Sequence, residues 1–208
     1  MKATETLAKL QALGQSLFET RDLAALLNVA HSSASRAASR LAKTGLIVKL
    51  GRGKWALSHN LNRLAISEHL TSPFPAYISL YSALYYHGII SQIPAVIYAV
   101  SLARTRTWDT PLGVFSIHHV APDFFFGYEM DASGTAKIAI AEKALVDLLY
   151  FMPTRSRLFV NFPELELPEK FAWRKALEMT KRIKSSLRKR FVMERLLSMR
   201  KSMGERRS

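Results

Sequence analysis

HSSASRAASRLAKTGLIVKLGRGKWAL, residues 31–57, decides the fold. Over residues 31–43 the spacing is helical: Ala34, Ala37, Ala38 and Leu41 share one face, and Ser32, Arg36 and Arg40 share the other. Gly45 stops that helix. Leu46–Leu50 and Lys54–Leu57 then read as strands, and the Gly51-Arg52-Gly53 between them is hairpin chemistry. The alanine face is small enough for close packing on a neighbouring helix, and the other face is slim, basic and without a carboxylate.

Upstream, Leu7, Leu10 and Leu13 recur at helical intervals before Gly14, predicting a helix over about residues 4–13. Thr20 is the expected N-cap of a second helix over Arg21–Leu27, with Leu23, Leu26 and Leu27 facing inward. A turn at 28–30 leads to the third helix, capped by Ser32 or His31. Three helices followed by a hairpin form a winged helix-turn-helix DNA-binding domain, assigned to residues 1–60. In such a domain the third helix enters the major groove, where an arginine pairs bidentately with guanine and short serines reach phosphates. Arg36 and Arg40 are the candidates for reading bases, and Ser32, Ser33, Ser35, Ser39 and Lys43 for holding phosphates. Lys49, Arg52 and Lys54 of the hairpin suit backbone or minor-groove contact. The competing reading is a solvated basic helix that serves protein contacts.

Downstream, a short helix over about 61–70 and the segment Ser72-Pro73-Phe74-Pro75 mark a linker, residues 61–75. Residues 76–152 read as a mixed α/β domain, with a helix over 78–87, strands over 96–102, 113–119 and 124–128, and a helix over 137–151. The last is striped by Ile138, Ala141, Leu145, Leu148 and Leu149. Prolines at 153, 163 and 168 mark a loop-rich exit. Residues 153–208 end in a basic helical segment, with Trp173, Leu177, Ile183, Leu187 and Phe191 at roughly helical intervals and the last ten residues or so expected to fray. The expected class is therefore α+β.

The charge is sorted along the 208 residues. Lys and Arg outnumber Asp and Glu by 9 to 3 in residues 1–60 and by 14 to 3 in residues 170–208, whereas residues 61–169 carry 7 against 10. Two basic ends around a mildly acidic middle imply a polyanionic partner. Lys181, Arg182, Lys184, Arg188, Lys189 and Arg190 form an auxiliary basic surface that suits DNA phosphates, RNA, an acidic protein or an anionic membrane; charges interrupting its apolar positions favour surface electrostatics over membrane burial, and the competing reading is a simple solvated helix. The chain has no cysteine, which excludes disulfides and thiolate zinc sites. The N-terminus lacks a signal-peptide core, and the longest uncharged apolar stretch, near Ile93–Ala103, is too short to span a bilayer; a soluble cytoplasmic protein without membrane contact is expected.

His118 and His119 are neighbours on an expected strand, so they point to opposite faces and do not ligate one ion. Glu142-Lys143 with Asp109 or Asp123 has the composition of a metal-dependent nuclease site, but charged residues in a regular helix ordinarily face water. No catalytic residue, metal site or cofactor is assigned.

Three blocks in the middle of the chain are PAYISLYSALYYHGIISQIPAVIYAVS (residues 75–101), FSIHHVAPDFFFGYE (115–129) and AIAEKALVDLLYF (139–151). With the winged helix before them they resemble the AbiEi-type antitoxins of abortive-infection (type IV) toxin–antitoxin systems, over roughly Thr20–Phe151. That resemblance implies a transcriptional autorepressor that binds inverted repeats in double-stranded DNA upstream of its own operon. It also implies that the second domain opposes a nucleotidyltransferase-like toxin without a stable complex, in a phage-defence setting. The other readings are an interaction module for RNA or an acidic protein, and a solitary winged-helix regulator.

Overall fold

Small residues at helical spacing let the first helices pack closely. In the computed structural model, which describes residues 3–12, 14–58, 61–152 and 164–205, α1 (Ala3–Ala12), α2 (Thr20–Leu27) and α3 (His31–Lys43) enclose a core of Leu10, Phe18, Leu23, Ala34, Ala38, Leu41, Ile47 and Trp55. Ala34 and Ala38 are fully buried, so over its first turns α3 approaches its neighbours on alanine, and Leu41 completes the buried face. Strands β1 (Leu17–Glu19), β2 (Ile47–Gly51) and β3 (Lys54–Leu57) form an antiparallel sheet in the order β1-β3-β2. The pairing of β1 with β3 keeps the backbone extended through Glu19, so Glu19 rather than Thr20 caps α2, exchanging bonds with Asp22 in a capping box. The Thr20 hydroxyl instead accepts from Trp55 Nε1 at 2.9 Å.

The rest of the chain is built on a six-stranded mixed sheet. Its elements are α4 (Ile66–Thr71), β4 (Ala76–Ile78), α5 (Leu80–Tyr86), β5 (Val96–Ser101), β6 (Arg106–Thr110), β7 (Gly113–His119), β8 (Tyr128–Met130), β9 (Lys137–Ala139), α6 (Ala141–Phe151), α7 (Trp173–Thr180) and α8 (Ser186–Glu205). The strand order is β6-β7-β5-β4-β9-β8, with β5 parallel to β7 and β4 parallel to β9. The architecture is thus α+β, a helical N-terminal region followed by a mixed sheet.

Several expected boundaries shift for one reason, sheet pairing. The helix expected over 78–87 begins only at Leu80, because Ala76–Ile78 pairs with β5; the helix expected from 137 begins at Ala141, because Lys137–Ala139 pairs between β4 and β8. The strand expected over 124–128 is displaced to Tyr128–Met130, and Pro122–Phe124 forms a single 3₁₀ turn. The helix expected over 61–70 is a 3₁₀ turn at Arg63–Ala65 running into α4. The basic end is two helices broken at residues 181–185, the second running to Glu205; residues 206–208, part of the end expected to fray, lie outside the described residues. Leu13, Pro153 and Pro163 lie outside the described residues.

Alternation along the strands sorts the large sheet into two faces. Ile97, Phe115 and Trp108 are register partners and share one face; Tyr77, Val100 and His118 are register partners on the other. The first face is closed by the small sheet and α4: Leu50, Ala56, Ile66, Leu70 and Phe115 form one buried cluster. On the second face lies α6, whose Asp147 Oδ2 accepts from the Tyr77 hydroxyl at 3.0 Å and whose Phe151 ring stands 5.0 Å from that of His118. Helices α7 and α8 pack against α6 in turn. From one side to the other the layers run hairpin with α4, sheet, α6, then α7 and α8.

Candidate nucleic-acid interface

With Ala34, Ala38 and Leu41 turned inward, α3 leaves Ser32, Arg36, Ser39, Arg40 and Lys43 exposed along one stripe, and Ser33 and Ser35 half-buried beside it. Arg36 Nη2 donates to Ser33 Oγ at 3.3 Å, and Ser39 Oγ donates to the Ser35 carbonyl at 2.9 Å, so both serines are oriented by the helix itself. Arg40 and Lys43 occupy the last turn, where the helix dipole favours cations.

The hairpin tip is held in place. Thr20 N–H donates to the Gly53 carbonyl at 2.9 Å, tying the turn to the start of α2. On the other side Gly51 meets the second sheet so closely that a Cβ there would lie 2.8 Å from Trp108 Cζ3. Only glycine permits that approach. Arg52 at the tip and Lys49 on β2 are exposed, with Lys49 Nζ 6.0 Å from the Trp55 ring centroid.

Lys54 sits apart from them. Its side chain is only 13% exposed, and its ammonium donates to Glu19 Oε1 at 2.9 Å and to the His69 carbonyl at 2.8 Å. Burial pulls the Glu19 carboxyl upward, but hydrogen bonds from Lys54 and Ser72 and the Lys54 charge hold it below its ordinary value. Sequence reasoning placed Lys54 by its neighbourhood in the hairpin; its partner Glu19, 35 positions earlier, becomes visible only once β1 joins β3.

Arg106 had no role in the sequence reading. It is exposed on the edge strand β6, with its guanidinium 3.9 Å from the Trp108 ring, and Trp108 is the residue that Gly51 abuts. A cation therefore stands next to the hairpin tip from the second sheet. No local signal marks this, since β6 is recognisable only through its pairing with β7.

The auxiliary basic surface is divided. Lys181 pairs with Glu178 at 2.7 Å, Lys184 with Asp123 at 2.5 Å, and Arg190 reaches Glu194 at 4.0 Å. The guanidiniums of Arg182 and Arg188 lie over the rings of Phe126 and Tyr150, at 4.2 and 4.6 Å. Lys189 is half-buried.

The acidic residues considered for a nuclease do not gather: among the described residues no group of three or more His, Asp or Glu could hold a metal ion. Glu142 Oε1 accepts from the Ala172 N–H at 3.1 Å, and Lys143, expected to face water, is instead sealed in the core. The reason is a matched partner: Lys143 forms a salt bridge with Asp147 and donates to the Tyr77 hydroxyl at 2.9 Å, while Ser79 Oγ donates to Asp147 Oδ2 at 2.7 Å. Burial pushes the Lys143 ammonium down and the Asp147 carboxyl up, each opposed by the other's charge. Of the adjacent histidines, His118 is buried against Tyr98, Phe151 and Ser116, and His119 is exposed, its Nδ1 within 3.1 Å of the Ala103 carbonyl. Burial lowers His118 to about 4.

Among the described residues no helix is long and apolar enough to cross a membrane. No curated protein matches the chain. Residues 5–58, which hold most of α1, the α3 stripe and the hairpin, match the model of the family described as Transcriptional regulator, AbiEi antitoxin.

Proposed function

We propose that this protein is a non-catalytic, sequence-specific DNA-binding repressor of its own operon and the antitoxin of a type IV abortive-infection system, acting in the cytoplasm. The observation that carries the reading is the α3 stripe: Ser32, Arg36, Ser39, Arg40 and Lys43, all exposed, on a helix that contains no acidic residue, within the segment that matches the antitoxin-regulator family. Arg36 and Arg40 read base edges in the major groove of inverted repeats; Ser32, Ser33, Ser35, Ser39 and Lys43 hold phosphates on either side.

The hairpin acts as the wing. Lys49 and Arg52 contact the DNA backbone, Arg106 extends that contact from β6, and Lys54 positions the wing through Glu19 and the His69 carbonyl instead of touching DNA. Residues 1–60 serve recognition, 61–75 seat the recognition unit on the sheet, and 76–152 carry the antitoxin task, while α7 and α8 of the 153–208 segment cover α6 on the far side. The antitoxin role, opposition to a nucleotidyltransferase-like toxin without a stable complex, rests on the resemblance of residues 75–101, 115–129 and 139–151 and on the name of the matched family.

The test is genetic. A reporter driven by the region upstream of the gene should be repressed by the full chain and released by Arg36→Ala with Arg40→Ala, and co-expression with the adjacent gene should restore growth with either protein. Repression that survives both substitutions would remove the assignment of α3. Growth that is not restored by the wild-type chain would remove the antitoxin role.

A further inference from the structure

The two basic ends of the chain do not share a side of the molecule. The hairpin lies on the sheet face that carries Phe115 and Trp108, whereas α6 lies on the face that carries Tyr77 and His118, and α7 and α8 stack outside α6. Packed layers are spaced by about 10 Å. A duplex seated on α3 therefore has the sheet and α6 between it and Arg182.

The far side is built as well as basic. Phe124 stacks on Tyr150 with ring centroids at 4.6 Å and meets Phe126 edge-on at 5.8 Å, so three rings make one floor. Arg182 lies over Phe126, Arg188 over Tyr150, and Arg195 over Phe191 at 5.6 Å, two turns further along α8. A guanidinium whose flat face rests on a ring keeps its N–H edge for bidentate bonds, and holding it there reduces the ordering cost when an anion arrives. The Lys143 ammonium, buried in the core, stands 3.9 Å from the Phe124 ring and 4.9 Å from the Phe126 ring, so Phe126 meets both a buried cation and Arg182. The nearby Lys181 and Lys184 already pair with Glu178 and Asp123, which leaves Arg182, Arg188 and Arg195 as a row without a carboxylate salt bridge among the described residues.

We propose that the corner between α7 and α8, with Arg182 and Arg188 held on the Phe124, Phe126 and Tyr150 floor, binds the phosphodiester backbone of a second nucleic-acid segment, so that one molecule bridges two segments. A row of guanidiniums continued along α8 fits a linear polyanion, and residues 170–208 carry 14 Lys and Arg against 3 Glu, more than a compact acidic patch would need. This surface works independently of what α3 reads.

The test uses the full chain with one immobilised 30-base-pair duplex and, as the second segment, either a labelled duplex of unrelated sequence or a labelled RNA hairpin. Wild type should retain one or both of the labelled segments on the immobilised duplex. Arg182→Gln with Arg188→Gln should hold the immobilised duplex within about two-fold of wild type and lose at least ten-fold of the captured second segment. For two phosphate contacts the salt slope of that second binding should fall by about 1.8. Arg36→Ala with Arg40→Ala should release the immobilised duplex, and capture with it, while binding the labelled segment directly in solution within about two-fold of wild type, which separates failure of this proposal from failure of the α3 reading. Arg182→Lys with Arg188→Lys keeps charge and fold and should recover capture only in part, because lysine lacks the bidentate edge. Capture of neither DNA nor RNA by wild type would overturn the proposal. So would equal loss of both segments in the Gln variant, or polyglutamate competing as well as nucleic acid.

Discussion

Lys54→Ala separates a structural cation from a DNA-contacting one. In the folded protein its ammonium bonds Glu19 Oε1 at 2.9 Å and the His69 carbonyl at 2.8 Å, with side-chain exposures of 13% for Lys54 and 20% for Glu19. Hydrogen bonds to charged groups are worth about 1.5–3 kcal/mol each, and the water that still reaches the pair reduces this, so the variant should lose about 1–2 kcal/mol. The loss falls on the contact between β1, β3 and α4 rather than on the surface proposed to meet DNA. Lys49→Ala, from an exposed site on β2, should change stability by under about 0.5 kcal/mol. On DNA the order reverses: Lys49→Ala should flatten the salt dependence of binding by about one unit of slope, and Lys54→Ala should leave that slope unchanged. Urea unfolding followed by tryptophan fluorescence gives the first quantity, and anisotropy of a labelled duplex at four salt concentrations gives the second. Glu19→Gln completes a double-mutant cycle and should couple to Lys54→Ala. If Lys54→Ala left stability untouched and lowered the salt slope by one, the assignment of Lys54 to the fold would be refuted.

Lys143→Met leaves the Asp147 carboxylate buried with only Tyr77 and Ser79 as partners and should cost about 3–5 kcal/mol; adding Asp147→Asn should recover most of it in urea unfolding, and a double variant no better than the single would contradict the pairing. Burial holds His118 at about 4 against an ordinary 6.5, and burial followed by the Lys54 charge does the same to His69. The unfolded chain takes up these protons first, so stability is complete above pH 6.5 and falls as the pH drops toward 4, by about 2 kcal/mol per group between pH 7 and 5. His118→Leu should shrink the gap between unfolding midpoints at those two pH values, and an unchanged gap would count against a neutral buried imidazole. Gly51→Ala should displace the Trp108 ring from a 2.8 Å contact and weaken binding of unrelated duplexes through Arg106 and Arg52; unchanged Trp108 fluorescence and binding would show that the hairpin does not rest on β6.

The N-terminal region was legible because its signals are local. Alanines at 34, 37 and 38, the Gly45 stop and the glycines around Arg52 each act within a turn or a hairpin, and the structure places helix and strands there. Elements that exist only through distant pairing were harder to see. Leu17–Glu19 is three residues that look like a loop until β3 arrives, and β6 carries Arg106, Thr107 and Asp109, too polar to read as a strand, because it is the sheet edge. Lys143 was misplaced because its compensation comes from Asp147 one turn on together with Tyr77 and Ser79, some 65 positions away. The proline-marked linker gave no hint that α4 and the hairpin share a buried cluster with Phe115, so cutting the chain after residue 72 uncovers Leu50, Ile66 and Leu70. Point variants are therefore the cleaner separation of repression from rescue.

The most direct measurement of the central claim is the affinity of the full chain for a duplex from the region upstream of its own gene, set against a scrambled duplex of equal length and composition at the same salt. The reading of α3 requires tighter binding to the upstream duplex, and loss of that preference, at about 1–3 kcal/mol per residue, in Arg36→Ala and Arg40→Ala, while binding to the scrambled duplex falls far less. Equal affinity for the two duplexes, or a preference that survives both substitutions, would contradict it.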